Sequence, residues 1–252
     1  MVSEKDLMGG LAKGLRVIEA FSAEHPRLSI SQAAEIAALD RATTRRCLLT
    51  LAELGYAAYD GKYFTVTPKV LRLGTGCLAT MPLPRIVQPL LDELSASIEQ
   101  STSVSILDET EIVYVARAAQ RKVMSIALMP GSRLPAYCTS MGRVSLAALE
   151  VDRRRAVLEM SRLEARTPRT VTDIDALLVE LEATAMRGYA IIDQEVEIGL
   201  RSIAVPLHNL RGQTVAALNV GLSVTAASME ELVQTYLPPL LHVQSELRRM
   251  LV

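Results

Sequence analysis

From Leu11 to Leu54 apolar residues recur at intervals of three and four, the mark of helices packed by one face. Leu11, Leu15, Val17, Ile18 and Phe21 outline a first helix that His25-Pro26 ends. Ala33, Ala34, Ile36 and Ala37 outline a short second one, with Ser31 placed to cap its start and small side chains that let another helix approach closely. Leu39-Asp40 breaks the pattern and supplies the next N-cap. Thr44, Cys47, Leu48, Leu51 and Leu54 then share one face of a third helix, which Gly55 stops. After Gly55 two strand-like runs, 56–59 and 62–66, flank Asp60-Gly61, a strong two-residue hairpin signal. Helix, break, helix and hairpin over residues 29–64 make the outline of a winged helix-turn-helix, which offers one helix to the major groove of DNA. Arg41, Ala42, Thr43, Arg45 and Arg46 occupy the exposed first turns of that helix, where guanidinium groups can fork onto guanine edges or phosphates. Ser31 and Gln32, at the start of the second helix, and Lys62, at the hairpin tip, complete the expected DNA-contacting set.

Beyond the hairpin, residues 68–76 read as a short exit. Ile86, Val87, Leu90, Leu91, Leu94 and Ile98 then form an apolar stripe behind the breakers Pro82 and Pro84. Such a stripe suits either intramolecular core or a linker helix packed partly against a second chain. From residue 103 the rhythm changes to strand-like runs at 103–107, 112–117, 123–128, 190–193, 202–207 and 215–222, with turns at Asp108-Glu109 and 208–212. Helices are expected at 142–149, 152–163, 173–187 and from 228 onward. The pattern predicts an α+β chain: a winged helix-turn-helix at 1–75, a linker helix region at 76–98, and at 99–252 a domain with an antiparallel sheet flanked by helices.

A chain of 252 residues, half of them hydrophobic, can fill two separate cores. Its net charge of −1 changes the DNA picture, because residues 1–75 hold ten Lys+Arg against eight Asp+Glu, or +2, leaving −3 for the rest. One copy so weakly basic holds phosphate poorly, which argues for an oligomer with two or more recognition helices. No apolar run reaches the ~18 residues of a membrane span, and the first residues lack a basic-then-apolar signal, so a cytoplasmic protein without a membrane partner is expected. Cys47, Cys77 and Cys138 form no CxxC pair, and His25, His208 and His242 lie at no metal-ligand spacing, so no disulfide, metal or cofactor is expected. GxSxG, HExxH, P-loop and GxGxxG patterns are missing, which speaks against an enzyme.

Two stretches carry candidate ligand chemistry. Residues 131–143 are dense in small and bend-forming side chains, and Thr139 or Ser140 can cap the helix that follows. Backbone N–H groups near Met141 and Gly142 would then suit an anion, with Tyr137 and Met141 as flat and adaptable walls; an ordinary capped helix is the other reading. In 193–202, an acidic loop precedes a strand starting near Ser202, and a neighbouring strand with Asn219 would put a hydroxyl and an amide on one face, fit to bond a carboxylate or phenol. Arg201 is expected to pair with Glu195 or Glu197.

The chain resembles the IclR family of bacterial transcriptional regulators over nearly its whole length. The resemblance rests on Ala42-Thr43-Thr44-Arg45-Arg46 leading to Leu51-Ala52-Glu53-Leu54-Gly55-Tyr56, on Leu134-Pro135-Ala136-Tyr137-Cys138-Thr139-Ser140-Met141-Gly142-Arg143, on Thr167-Pro168-Arg169-Thr170, on Arg187-Gly188-Tyr189, and on Gly199-Leu200-Arg201-Ser202-Ile203-Ala204-Val205-Pro206. The Pro-Ala-Tyr-Cys-Thr-Ser-Met-Gly-Arg wording is similar to the branch that controls breakdown of aromatic acids such as protocatechuate and 4-hydroxybenzoate. The resemblance implies a GAF-like effector domain at 99–252 and a homodimer or dimer of dimers on palindromic double-stranded operator DNA. It also implies a small, aromatic carboxylic acid as effector, met by Met141, Gly142, Asp193, Ser202, Asn219 and Gly221, with Tyr137 nearby. The competing reading is a metabolite-binding signalling module whose helix-turn-helix mediates protein contacts.

Overall fold

The computed structural model describes residues 6–22, 24–120 and 128–251, which divide into two compact units, 1–80 and 81–252. The first holds α1 (Gly9–Glu19), α2 (Ile30–Ile36), α3 (Arg41–Glu53), the hairpin β1 (Ala57–Tyr59) and β2 (Phe64–Val66), and α4 (Leu71–Thr80). Val17, Leu28, Leu48 and Phe64 fill its centre, and an isolated bridge from Leu28 to Phe64 ties the hairpin to the segment before α2. α1 is shorter than its apolar pattern implies. It ends at Glu19, and Leu11 and Leu15 stay 60% and 45% exposed.

Local polar chemistry sets the remaining boundaries. Ser29, not Ser31, caps α2 in a capping box with Gln32, because Ser29 alone is positioned for its oxygen to meet the Gln32 N–H. Asp40 caps α3 as expected, accepting from the Thr43 N–H at 2.8 Å. Between the two helices Ala38 adopts φ 48°, and the Arg16 guanidinium donates to the carbonyls of Ala37 and Ala38, which end α2. The hairpin turn holds four residues rather than two. Register pairs Tyr59 with Phe64, and the Asp60 carboxylate accepts from the N–H groups of Lys62 and Tyr63, at 2.9 and 2.7 Å.

In the second unit, six strands run in the order β5-β4-β3-β8-β7-β6, every neighbouring pair antiparallel. They are β3 (Ser101–Asp108), β4 (Glu111–Ala118), β5 (Arg133–Pro135), β6 (Ala190–Asp193), β7 (Leu200–His208) and β8 (Thr214–Ser223). The short β5 was missing from the sequence pattern because three residues cannot display alternation; the strand expected at 123–128 lies outside the described residues apart from Leu128. Half of the stripe left open above is core: α5 (Pro82–Ile98) buries Val87, Leu91 and Leu94 against one face of the sheet, together with α9 (Met229–Arg248), while Ile86, Leu90 and Ile98 are partly buried. The expected linker region 76–98 therefore divides, with 81–98 in the second unit. The other face is covered by α6 (Ser140–Ala147), backed by α8 (Ile174–Arg187), which packs in turn on α7 (Val151–Met160).

Candidate functional site

α3 turns Thr44, Leu48 and Leu51 inward, and this leaves Arg41, Ala42, Arg45 and Arg46 exposed, with Thr43 half-buried. Among the described residues, no ion pair engages Arg41, Arg45 or Arg46, so their guanidinium forks remain available to an outside acceptor. Ser31 is exposed at the start of α2, whereas the Gln32 side-chain oxygen is taken up by Ser29, at 3.0 Å from its N–H. At the wing, Lys62 lies 5.1 Å from the centre of the Tyr63 ring, and Arg27 lies 4.7 Å from it. Arg27 thus joins Lys62 as a second cation at the wing, which its place before α2 in the sequence gave no reason to expect.

The ligand chemistry of the second unit gathers under the start of α6. Register sets Ser202 opposite Gly221 and Ala204 opposite Asn219, while β3 places Ser101 beside Gly221 and Ser103 beside Asn219. Met141, Ser202, Asn219 and Gly221 line one cavity of about 30 Å³ between α6 and the sheet. Three polar residues absent from the sequence reading join them, Ser101, Tyr114 and Arg117, together with Ser140, which that reading took only as a candidate helix cap. Leu134, Val196 and Leu200 supply apolar wall. Register reveals this set: Arg117 faces Ser103 across the β3–β4 hairpin, while Asn219 and Gly221 reach Ser103 and Ser101 from β8, more than a hundred residues further along the chain. The Oγ of Ser140 and the Oδ1 of Asn219 are buried without a hydrogen-bond partner, an arrangement that costs about 1–3 kcal/mol per group until a partner is found. A space of this size holds about two water molecules. An aromatic ring needs the walls to part, and Met141 is the unbranched, adaptable one.

Three expected ligand residues do not line this cavity, and each has partners of its own. The Tyr137 hydroxyl donates to the Glu164 carbonyl at 2.6 Å and accepts from the Glu164 N–H, so the ring anchors the loop after α7. The Gly142 N–H is used by the Thr139 cap, and α6 is buried throughout, so this helix start offers less to an anion than its sequence implies. Asp193 pairs with both Arg169 and Arg201, which corrects the expected pairing of Arg201 with Glu195 or Glu197. Glu195 turns inward to Arg143, at 2.7 Å, with side chains only 8% and 4% exposed. The bond crosses from α6 to the loop that carries Val196, and so ties together two walls of the cavity.

The two units match separate known domains. Residues 10–61 match the IclR helix-turn-helix domain, and residues 75–248 match the C-terminal domain of the bacterial transcriptional regulator IclR. The chain belongs to the IclR family. It is 42% identical over 245 residues to the Pca regulon regulatory protein of Pseudomonas putida, a match covering 97% of this chain and 84% of that protein. It is 36% identical over 254 residues to the p-hydroxybenzoate hydroxylase transcriptional activator of Acinetobacter baylyi, covering 99% and 94%. Among solved structures it is similar to the inducer-binding domain of PobR from Acinetobacter, a double mutant in complex with 3-hydroxybenzoic acid, at 34% identity and a TM-score of 0.64, covering 68% of this chain and all of that one.

The IclR family is one of DNA-binding transcriptional regulators, not of enzymes, and the competing protein-contact reading of the helix-turn-helix gives way to it. Cys138 agrees with that assignment: burial pushes its thiol up to about 11, so it is no thiolate nucleophile at neutral pH. No helix among the described residues is long and apolar enough to cross a membrane. A larger concavity of about 640 Å³ opens at the far end of α6, beside Leu149 and His208, but none of the buried unpartnered oxygens lines it. The smaller cavity, which carries two of them, is the ligand candidate.

A Cβ at position 142 would overlap the Cα and carbonyl oxygen of Ala136. Backbone cannot retreat as a flexible side chain does, so Gly142→Ala is expected to lower stability by about 1–3 kcal/mol. Urea denaturation that follows the second unit checks this, and an unchanged midpoint would show that the loop before α6 yields freely.

Proposed function

We propose that this IclR-family regulator binds a palindromic operator as a homodimer or dimer of dimers and senses a small aromatic carboxylic acid in the cavity under α6, thereby controlling a catabolic operon. The observation that carries the reading is the cavity itself: buried, largely apolar, and fringed by hydroxyl and amide groups of which two lack partners. Relatives named for the Pca regulon and for p-hydroxybenzoate hydroxylase, and a related domain solved with 3-hydroxybenzoic acid, support an aromatic acid as the chemical class. An oligomer is supported by the weak charge of the first unit and by α1, whose Leu11 and Leu15 stand exposed beside Leu7 and Met8, at 61% and 76%. Arg41, Ala42, Thr43, Arg45 and Arg46 read the operator in this account, with Lys62 on phosphate.

Calorimetric titration of the full chain with 4-hydroxybenzoate and with protocatechuate tests the ligand class. At least one acid is expected to bind, and Asn219→Leu is expected to weaken it by roughly tenfold, the worth of one lost hydrogen bond, with operator affinity in the absence of acid unchanged. Wild-type affinity in the Asn219 variant would remove this residue from the site, and failure of every aromatic acid to bind would end the reading.

A further inference from the structure

Arg117 stands out among the described residues lining the cavity as the one cation. It projects from β4, half-buried, and its side chain makes a single hydrogen bond, from Nη1 to the Ser103 hydroxyl at 2.9 Å. No carboxylate of the described residues pairs with it. A guanidinium has five N–H donors, and desolvation without an anion is costly for it. Burial accordingly pulls Arg117 below the ordinary arginine value. Its neighbour Tyr114 cannot supply the missing charge, because burial drives that hydroxyl up to about 12 and keeps it neutral. In register, Arg117 stands opposite Ser103 and Ser103 opposite Asn219, so cation, hydroxyl and the unpartnered Oδ1 form one row across three strands.

We propose that Arg117 is the charge partner of the effector's carboxylate, and thus the residue that makes this cavity select acids over neutral molecules of the same shape. The proposal rests on the reading of the cavity as the effector site and gives it a direction: the anion is met by a side chain of the sheet, whereas the start of α6 contributes the neutral Ser140 hydroxyl. A carboxylate entering this space loses its water, and a fork of N–H donors replaces that hydration with charge-assisted bonds. A carboxamide of equal size presents a neutral oxygen and an N–H₂ group that faces the same donors, so it should be rejected.

The test compares 4-hydroxybenzoate with 4-hydroxybenzamide by calorimetry on the full chain. Wild type is expected to prefer the acid by about a hundredfold or more, the range in which loss of one partner of a desolvated charge pair falls. Arg117→Gln should shrink that ratio to about tenfold or less, chiefly by weakening the acid, while Arg117→Lys, which keeps the charge but loses the fork, falls between. An Arg117→Gln protein that folds and keeps the full ratio would overturn the assignment. Should that variant fail to fold, wild type still decides, since the guanidinium N–H resonances of Arg117 should shift with the acid and not with the amide; equal response to both, or to neither when the acid binds, would overturn it. If wild type binds protocatechuate but not 4-hydroxybenzoate, protocatechuate and its carboxamide form the decisive pair; failure of every aromatic acid to bind would refute the effector reading as well.

Discussion

Glu195→Ala is expected to lower the stability of the second unit by about 3–5 kcal/mol, the cost of leaving one partner of a buried ion pair uncompensated. Glu195 and Arg143 meet at 2.7 Å with almost no exposure, and each has a further bond: Glu195 accepts from the Val171 N–H at 3.1 Å, and Arg143 Nε donates to the Tyr137 carbonyl at 3.1 Å. Burial raises the Glu195 carboxyl above its ordinary value even though Arg143 and the Val171 N–H pull the other way, so desolvation dominates at this position. Removing the carboxylate strands a guanidinium inside the domain, where water cannot replace what is lost. Replacing both partners, Arg143→Met with Glu195→Leu, should return most of the lost stability, because apolar groups of similar volume carry no desolvation penalty. Chemical denaturation of the three proteins decides. A Glu195→Ala midpoint equal to wild type would mean that solvent reaches the pair.

Loss of Arg45 and Arg46 together is expected to weaken operator binding by about a hundredfold or more, since each guanidinium that forks onto a base edge is worth about 1–3 kcal/mol. Both side chains are exposed in the first turns of α3, and neither is engaged by a carboxylate of the described residues. The background attraction is small. With +2 over residues 1–75, non-specific phosphate binding contributes little that could mask the loss. Titration of operator and of unrelated duplex at one fixed salt concentration separates the two effects. A base-reading arginine costs specific affinity more than non-specific affinity, whereas a phosphate-binding one costs both equally and lowers the salt slope. Unchanged operator affinity in the double variant would move the recognition surface off this helix.

The recognition helix was legible in sequence because its determinants are local. A stripe at helical spacing, an Asp cap and a Gly stop lie within fifteen residues of one another, and each acts on its own backbone neighbours. Local rules failed where two candidates competed for one position: Ser29 and Ser31 are both good caps, and the three-residue offset to Gln32 selects Ser29. The hairpin was anticipated, yet its turn widened because the Asp60 carboxylate accepts from the N–H groups of Lys62 and Tyr63.

The ligand cavity divides along the same line. Met141, Ser202, Asn219 and Gly221 were named from sequence and line the cavity, whereas Tyr137, Gly142 and Asp193 from the same stretches do not line it. Sequence by itself determined that one helix carries arginines in its exposed first turns, that a small helical unit precedes an α+β unit, and that the second sheet bears hydroxyl and amide side chains. Only tertiary structure decided which of those polar groups face one another, and that Arg117 and Ser140 stand among them. The physical reason is the period of a strand: alternation tells which residues share a face, but the register between strands more than a hundred residues apart is set by packing the whole sheet beneath α6 and above α5 and α9.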